Sequence, residues 1–101
     1  MNLDTIKTLC ENNLIYMTEH VILRCRQRNI KQIDIKNCII SGEIIEDYPE
    51  DYPFPSCLIL GFISGSKPLH IVVACDGEYV RVVTAYYPDD DKWEKDFKIR
   101  R

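Results

Sequence analysis

The chain has 101 residues, of which 46% are hydrophobic, and its formal net charge is −3 at pH 7. This length suits one domain, residues 1–101, with a single hydrophobic core and no room for a second domain. The charge excludes a strongly basic surface, so any binding of RNA must be local and must depend on a few arginines.

The five cysteines are scattered and form no C-x-x-C pair. Each lies inside an apolar pattern, so we expect buried thiols and not metal ligands or catalytic groups. Because the two histidines are fifty residues apart, we predict neither a metal site nor a cofactor.

No signal peptide is visible and no apolar run has the length of a membrane span, so we expect a cytoplasmic protein without a membrane partner.

Three helices are predicted at the start of the chain. The first covers residues 4–12 and has Asp4 as its N-cap. The second follows the N-cap Thr18. The third covers residues 32–41, and Gly42 is expected to end it in a left-handed conformation.

The second helix, which is predicted to run to about Asn29, has two contrasting faces. One face is apolar and is expected to be buried; it consists of Met17, Val21, Ile22 and Cys25. The opposite face is polar and consists of His20, Arg24, Gln27 and Arg28. Because residues three and four apart are neighbours on a helix surface, the imidazole and the two guanidiniums form a ladder.

Four strands are predicted after the helices. The first, residues 43–48, alternates weakly and is acidic, which is typical of an edge strand. A loop with three prolines follows, and we expect Tyr52 and Phe54 to pack against the body of the protein. The next strand covers residues 57–63 and is mostly apolar.

The turn after this strand decides which residue faces His70. If Gly65 and Ser66 are the centre of the turn, Gly61 lies opposite His70 and leaves open space over the imidazole.

The last two strands are predicted to form a hairpin around Asp76 and Gly77, because a two-residue Asp-Gly link is a strong hairpin signal. This register places one set of side chains on the core side: Leu69, Ile71, Val73, Val80, Val82, Thr84 and Tyr86. The opposite side is expected to be an open, ligand-binding face with His70, Val72, Ala74, Tyr79, Arg81, Val83, Ala85 and Tyr87.

After the hairpin, Pro88 and three consecutive aspartates end the sheet. Trp93, Phe97 and Ile99 give the tail enough apolar surface to dock as a short helix or an extended cover. The predicted class is therefore α+β, with N-terminal helices packed on one face of a four-stranded antiparallel sheet.

Both histidines lie near arginines, and this combination can support cleavage of RNA without a metal. The reaction needs a group that exchanges protons and positive charge around the phosphate, and imidazole and guanidinium supply these. One candidate set is His20, Arg24 and Arg28 on the second helix. The other is His70 and Arg81, with Tyr79, on the open sheet face.

Five stretches of the chain carry a recognisable pattern: His20-x-x-x-Arg24-x-x-x-Arg28-x-Ile30, Ser41-Gly42-Glu43-Ile44-Ile45-Glu46-Asp47-Tyr48, Tyr52-Pro53-Phe54-Pro55-Ser56-Cys57-Leu58, Pro68-Leu69-His70-Ile71-Val72-Val73 and Thr84-Ala85-Tyr86. Together they resemble the domain of unknown function 4258 family. The resemblance extends from the second helix to the tail. That family is similar to the RelE-like toxin fold.

The resemblance implies a toxin-like, metal-independent endoribonuclease of the mRNA interferase type. It also implies RNA as substrate and a cognate antitoxin, of zinc-ribbon or helix-turn-helix type, as partner. Matching positions give a catalytic set of His20, Arg24, Thr84 and Tyr86, with Arg28 on the phosphate. His70 and Arg81 are then expected to form an additional RNA-binding surface.

A second function class is compatible with the same residues. The chain can be a non-catalytic protein-binding module that docks a partner on its open sheet face or on its edge strand. The two hypotheses differ in whether the purified protein cuts RNA.

Overall fold

The computed structural model describes residues 1–64 and 66–101 of the chain. Its elements in chain order are α1 (Leu3–Glu11), β1 (Ile15–Tyr16), α2 (Glu19–Gln27), α3 (Gln32–Ser41), β2 (Glu43–Tyr48), β3 (Ser56–Ile63), β4 (Lys67–Cys75) and β5 (Val80–Tyr86). None of the helices in this described part is long and apolar enough to cross a membrane.

The five strands form one sheet in the order β1-β5-β4-β3-β2. β1 pairs parallel to β5, and the other neighbouring strands are antiparallel. The predicted α+β class is confirmed, but the sheet is mixed and has one strand more than predicted. The additional strand, β1, has only two residues and is therefore too short to show an alternating pattern. The hydrogen bond from Val80 N to Leu14 O (2.9 Å) holds it against β5.

Side-chain caps fix the starts of the first two helices. Asn2 caps α1, because its side-chain oxygen accepts hydrogen bonds from the amides of Asp4 and Thr5, so the predicted cap at Asp4 is wrong. Thr18 caps α2 as predicted and accepts from Val21 N at 3.1 Å.

Gly42 follows α3, as predicted, but for a different reason. Its φ of −87° is not left-handed. A Cβ at this position would lie 2.4 Å from Cys38 O and 2.7 Å from Leu60 O. The absence of a side chain therefore allows α3 and β3 to approach closely.

The main core lies between the helices and one face of the sheet. Its buried members are Ile6, Cys10, Cys25, Ile30, Ile35, Cys38, Ile39, Cys57, Ile59, Leu69, Ile71, Val73, Val80, Val82 and Ala85. Four cysteines are buried as predicted, and Cys75 is half-buried. Burial raises the pKa of the Cys57 thiol to about 12, so this thiol stays protonated and unreactive at neutral pH.

The loop between β4 and β5 is wider than predicted. Cys75 pairs with Val80, so four residues connect the strands instead of two. Asp76 Oδ1 accepts hydrogen bonds from the amides of Glu78 and Tyr79, both at 2.8 Å. The aspartate thus stabilises a wider loop than the two-residue turn that its sequence signal favours.

A β-bulge interrupts the alternation of β5. Val73 pairs with Val82, whereas the neighbouring Val72 pairs with Thr84. Val83 is the extra residue and is 52% exposed.

The bulge changes which residues of β5 face the core. Beyond it, Ala85 belongs to the core cluster, and Tyr86 pairs with His70 on the other face. The predicted core-side positions of Thr84 and Tyr86 are therefore wrong, because the prediction assumed uninterrupted alternation.

The C-terminal tail, residues 88–101, packs on the second face of the sheet as a series of turns, and an isolated antiparallel bridge between Trp93 and Arg100 folds it back on itself. The prediction that it docks is confirmed, but neither predicted form, a short helix or an extended cover, is correct. Trp93 is 2% exposed and meets His70 edge-on, with ring centroids 4.4 Å apart. Arg100 donates two hydrogen bonds, of 2.9 and 3.0 Å, to the carboxylate of Glu46 in β2. The face that was predicted to be open is therefore covered around His70, whereas Tyr79 remains 42% exposed.

The proline-rich loop is held differently from the prediction. Tyr52 is 95% exposed and does not pack against the body, whereas Phe54 is half-buried as expected. A hydrogen bond from Ser56 to the Asp51 carboxylate connects the two ends of the loop.

The predicted turn centre at Gly65 lies outside the described residues. The pairs on either side of it place Gly61 opposite Leu69 and Leu60 opposite His70. The predicted pairing of Gly61 with His70 is therefore wrong by one residue.

Candidate functional site

A cleft of about 340 Å³ lies between α2 and the free edge of β5. Its lining residues are His20, Val21, Arg24, Cys25, Arg28, Val83, Thr84 and Ala85. The imidazole and guanidinium ladder predicted from the sequence thus borders a concave surface of the protein.

The position of α2 follows from its two faces. Cys25 is buried and Val21 is half-buried, so this side of the helix packs against the core. His20, Arg24 and Arg28 follow one another at intervals of four residues and are exposed. Four residues advance an α-helix by about 6 Å, so the three groups form a row about 12 Å long.

Arg28 attaches the end of α2 to β5. Its Nη1 donates to the backbone oxygen of Ala85 at 2.7 Å and to Thr84 Oγ1 at 3.4 Å. β1 pairs with β5 only at Val80 and Arg81. In the described residues no strand pairs with this edge of β5 beyond Arg81, so backbone carbonyls there have no strand partner. Arg28 donates a hydrogen bond to one of them, the carbonyl of Ala85.

The electrostatic character of the cleft is positive. No acidic side chain is among the described residues that line it. Within residues 1–64 and 66–101, neither His20 nor Arg24 forms an ion pair. Arg28 uses only Nη1 in its contacts with β5, so its Nε and Nη2 donors are available for a ligand. Such a row of unpaired donors can bind an anion with several oxygens.

The structure brings together four of the residues proposed from the sequence: His20, Arg24, Arg28 and Thr84. Tyr86 does not belong to this group, because its hydroxyl lies 3.2 Å from His70 Nδ1 on the opposite face of the sheet. The bulge at Val83 is the reason why Thr84 does not lie on the core-facing side of β5, where it was predicted. The amino-acid sequence alone contains no signal for this bulge.

His70 is not on an open surface, so its predicted placement is wrong. It is fully buried, and its Nε2 donates to the backbone oxygen of Phe97 at 2.8 Å. Since Nε2 carries the proton, Nδ1 accepts a hydrogen bond from the Tyr86 hydroxyl. Burial lowers the pKa of His70, although the bond to Phe97 and the charge of Glu46 partly oppose this effect.

Arg81 is separate from His70 and is occupied by neighbours. Its Nε and Nη2 both lie 2.9 Å from the Asp76 carboxylate. Its guanidinium lies 5.1 Å from the centroid of the Tyr16 ring. Arg81 and His70 therefore do not form the shared RNA-binding surface that was expected.

A second, more apolar cleft of about 420 Å³ lies where β1, α2 and α3 meet. Its lining residues are Asn13, Ile15, Met17, Ile22, Gln32, Ile33, Ile35 and Lys36. Ile33 is 56% exposed. The sequence analysis missed this site, and the apolar residues on the outer side of α3 were the available signal.

In the described part of the chain, no group of three or more His, Cys, Asp or Glu side chains is placed to hold a metal ion.

A family described as domain of unknown function (DUF4258) matches residues 17–87. The matched segment includes every residue that lines the cleft between α2 and β5, while α1 and the tail lie outside it. Neither the curated proteins nor the solved structures gave a match.

Proposed function

We propose that this chain, which belongs to the family described as domain of unknown function (DUF4258), is a metal-independent endoribonuclease that cuts RNA in the cleft between α2 and β5. The proposal includes the RelE-like, toxin-type character that the sequence resemblance implies. The observation that carries it is the convergence of His20, Arg24, Arg28 and Thr84 on one concave surface.

His20 is the group that moves protons in the proposed reaction. It takes the proton of a ribose 2′-hydroxyl, whose oxygen then attacks the neighbouring phosphorus. The bond from phosphorus to the 5′-oxygen breaks, and His20 returns the proton to that oxygen. The products are a 2′,3′-cyclic phosphate and a 5′-hydroxyl, so no metal ion or other reactant is required.

Arg24 and Arg28 have a different task, since they hold the phosphate and stabilise the negative charge that develops on it. Guanidinium groups suit this task because they are always charged and present several donors in a fixed plane. The contact of Arg28 with Ala85 O holds its guanidinium group at the cleft. Thr84 supports Arg28 Nη1 from the side of the strand.

The test compares RNA cleavage by the purified protein and its variants. We expect His20→Ala to slow cleavage by about 100-fold to 10,000-fold, the usual contribution of a proton-transfer group. Arg24→Gln should weaken cleavage as well. Arg26→Gln is the matched control, because Arg26 lies on the same helix but does not line the cleft. Equal cleavage by the wild type and His20→Ala, or no cleavage by either, would contradict the proposal.

The second candidate function is protein binding, and the apolar cleft at β1, α2 and α3 is the observation that favours it. The edge strand β2 fits this role less well, because Glu43 and Glu46 pair with Lys98 and Arg100 of the tail. The partner we propose for the apolar cleft is the cognate antitoxin. Ile33→Asp should abolish a complex with the antitoxin, whereas Ile99→Asp, at an exposed site on the tail, should preserve it. A complex that survives Ile33→Asp would exclude this cleft.

A further inference from the structure

The surface beyond the Arg28 end of the cleft carries another cation. Lys67, the first residue of β4, places its Nζ 4.1 Å from the centroid of the Tyr87 ring. The Tyr87 hydroxyl donates to the backbone oxygen of Asn29 at 2.9 Å. Tyr87 thus bridges Lys67 and the end of α2.

Two chain connections place Lys67 next to the cleft. Asn29, which accepts from Tyr87, directly follows Arg28. Tyr87 also lies two residues after Ala85, whose backbone oxygen binds Arg28. Both α2 and β5 therefore bring Tyr87, and with it the ammonium of Lys67, to the Arg28 end of the row.

Lys67 is held in place but is still accessible. The residue is exposed, and the face of the Tyr87 ring orients its ammonium group by a cation–π interaction. In the described residues it forms no ion pair with a carboxylate. An ammonium with no ionic partner and a restricted position is suited to bind an anionic group.

We propose that Lys67, positioned by Tyr87, binds a further phosphate of the ligand beyond those held by Arg24 and Arg28. The cleft therefore takes an oligonucleotide strand with several consecutive phosphates, and not a mononucleotide or another ligand with one phosphate. The row from His20 to Arg28 is already about 12 Å long, and Lys67 extends it past the end of α2. This inference rests on the proposed function and adds a binding residue and a minimum ligand size to it.

The test measures how binding of a single-stranded DNA of about ten nucleotides, which lacks the reactive 2′-hydroxyl, depends on salt. Each phosphate contact adds about 0.7 to the slope of log affinity against log salt for single strands. We expect Lys67→Gln to reduce this slope by about that amount and to weaken binding several-fold. A mononucleotide should bind the wild type and Lys67→Gln equally, because it reaches only the cleft.

Two further variants make the outcome unambiguous. Lys95→Gln is the control for loss of one positive charge, since Lys95 is an exposed residue of the tail, and it should leave the slope unchanged. If Lys67→Gln lowers the melting temperature but preserves the slope, Lys67 only stabilises the end of α2 and the inference is wrong. If Arg24→Gln also preserves the slope, the cleft itself does not bind nucleic acid, and the proposed function fails together with its extension.

Discussion

At the scale of single residues, His70 shows how burial turns a polar side chain into a structural one. Both ring nitrogens are hydrogen-bonded, one to the strand partner Tyr86 and one to the tail at Phe97. The rings of Tyr86 and Trp93 enclose it, with centroid distances of 5.3 and 4.4 Å. A neutral imidazole meets both hydrogen-bond partners of this site. A charged imidazole would be disfavoured here, because burial deprives it of hydration by water.

This burial predicts that stability falls as the pH falls below about 6.5. The pKa of His70 is lowered in the folded state by burial, whereas the unfolded imidazole titrates at about 6.5. Below that pH the unfolded state binds a proton that the folded state does not, so the free energy of unfolding decreases. The decrease stops once the pH is below the folded pKa. Urea unfolding between pH 7 and pH 5 measures the effect, because carboxylates titrate mainly at about pH 4.

The variants His70→Asn and His20→Gln separate this effect from general changes in charge. His70→Asn should be less stable at pH 7 but should lose most of the pH dependence between pH 7 and pH 5. His20→Gln is the control for removing a histidine outside the buried cluster of His70, Tyr86 and Trp93, and it should keep the wild-type dependence. A wild-type stability that does not change over this range would contradict the neutral, buried state of His70.

At the scale of secondary-structure elements, the contact between α3 and β3 depends on two glycines. A Cβ on Gly61 would lie 2.5 Å from Cys38 Cβ and 2.6 Å from Cys38 O. A Cβ on Gly42 would lie 2.7 Å from Ile59 Cγ2 and 2.7 Å from Leu60 O, both in β3. The helix therefore rests almost directly on the backbone of the strand, which allows the core residues on either side of this contact to pack.

Gly61→Ala should destabilise the protein by about 1–3 kcal/mol or more, the range observed for overpacked cores. The contacting atoms include the backbone of Cys38, so a change of side-chain rotamer cannot relieve the clash. Chemical denaturation gives the free energy of unfolding. Gly77→Asn is the control, because a Cβ there meets nothing within 4 Å and asparagine tolerates the positive φ of 90°. Equal stability of Gly61→Ala and the wild type would show that α3 lies further from β3.

At the scale of the whole molecule, the sheet is enclosed from both sides by different parts of the chain. The three helices cover one face, and the tail covers the other by means of Trp93, Phe97 and Arg100. Arg100 connects Trp93 with β2, since its guanidinium carbon lies 4.6 Å from the centroid of the Trp93 ring and its Nη2 donates to the carboxylate of Glu46. The bond with Arg100 is the largest cause that lowers the pKa of Glu46.

Trp93→Ala should remove most of the enclosure on the tail side. Replacing a buried tryptophan by alanine costs about 3–5 kcal/mol, which is a large part of the 5–15 kcal/mol typical of a domain. We expect a lower urea midpoint and faster proteolysis within residues 88–101. Trp93→Phe should retain more of the stability, since a ring still covers His70. A tail that remains equally resistant to proteolysis in Trp93→Ala would contradict this role.

Much of the architecture follows from local sequence signals. The spacing of apolar residues predicted three helices and the four long strands, and Thr18 was identified correctly as the cap of α2. The row of His20, Arg24 and Arg28 also follows from helical spacing, because an interval of four residues fixes the relative directions of the side chains. These features depend on residues that are close in the chain.

Contacts between distant residues decided the rest. The bulge at Val83 reverses the alternation of β5, so Tyr86 lies beside His70 and not beside His20. The parallel pairing of β1 and the covering of His70 by the tail also bring together residues far apart in sequence. The sequence by itself determined the cationic row on α2 and, through the family resemblance, grouped Thr84 with it. Only the tertiary structure decided that Tyr86 lies on the other face of the sheet, since strand register depends on nonlocal packing.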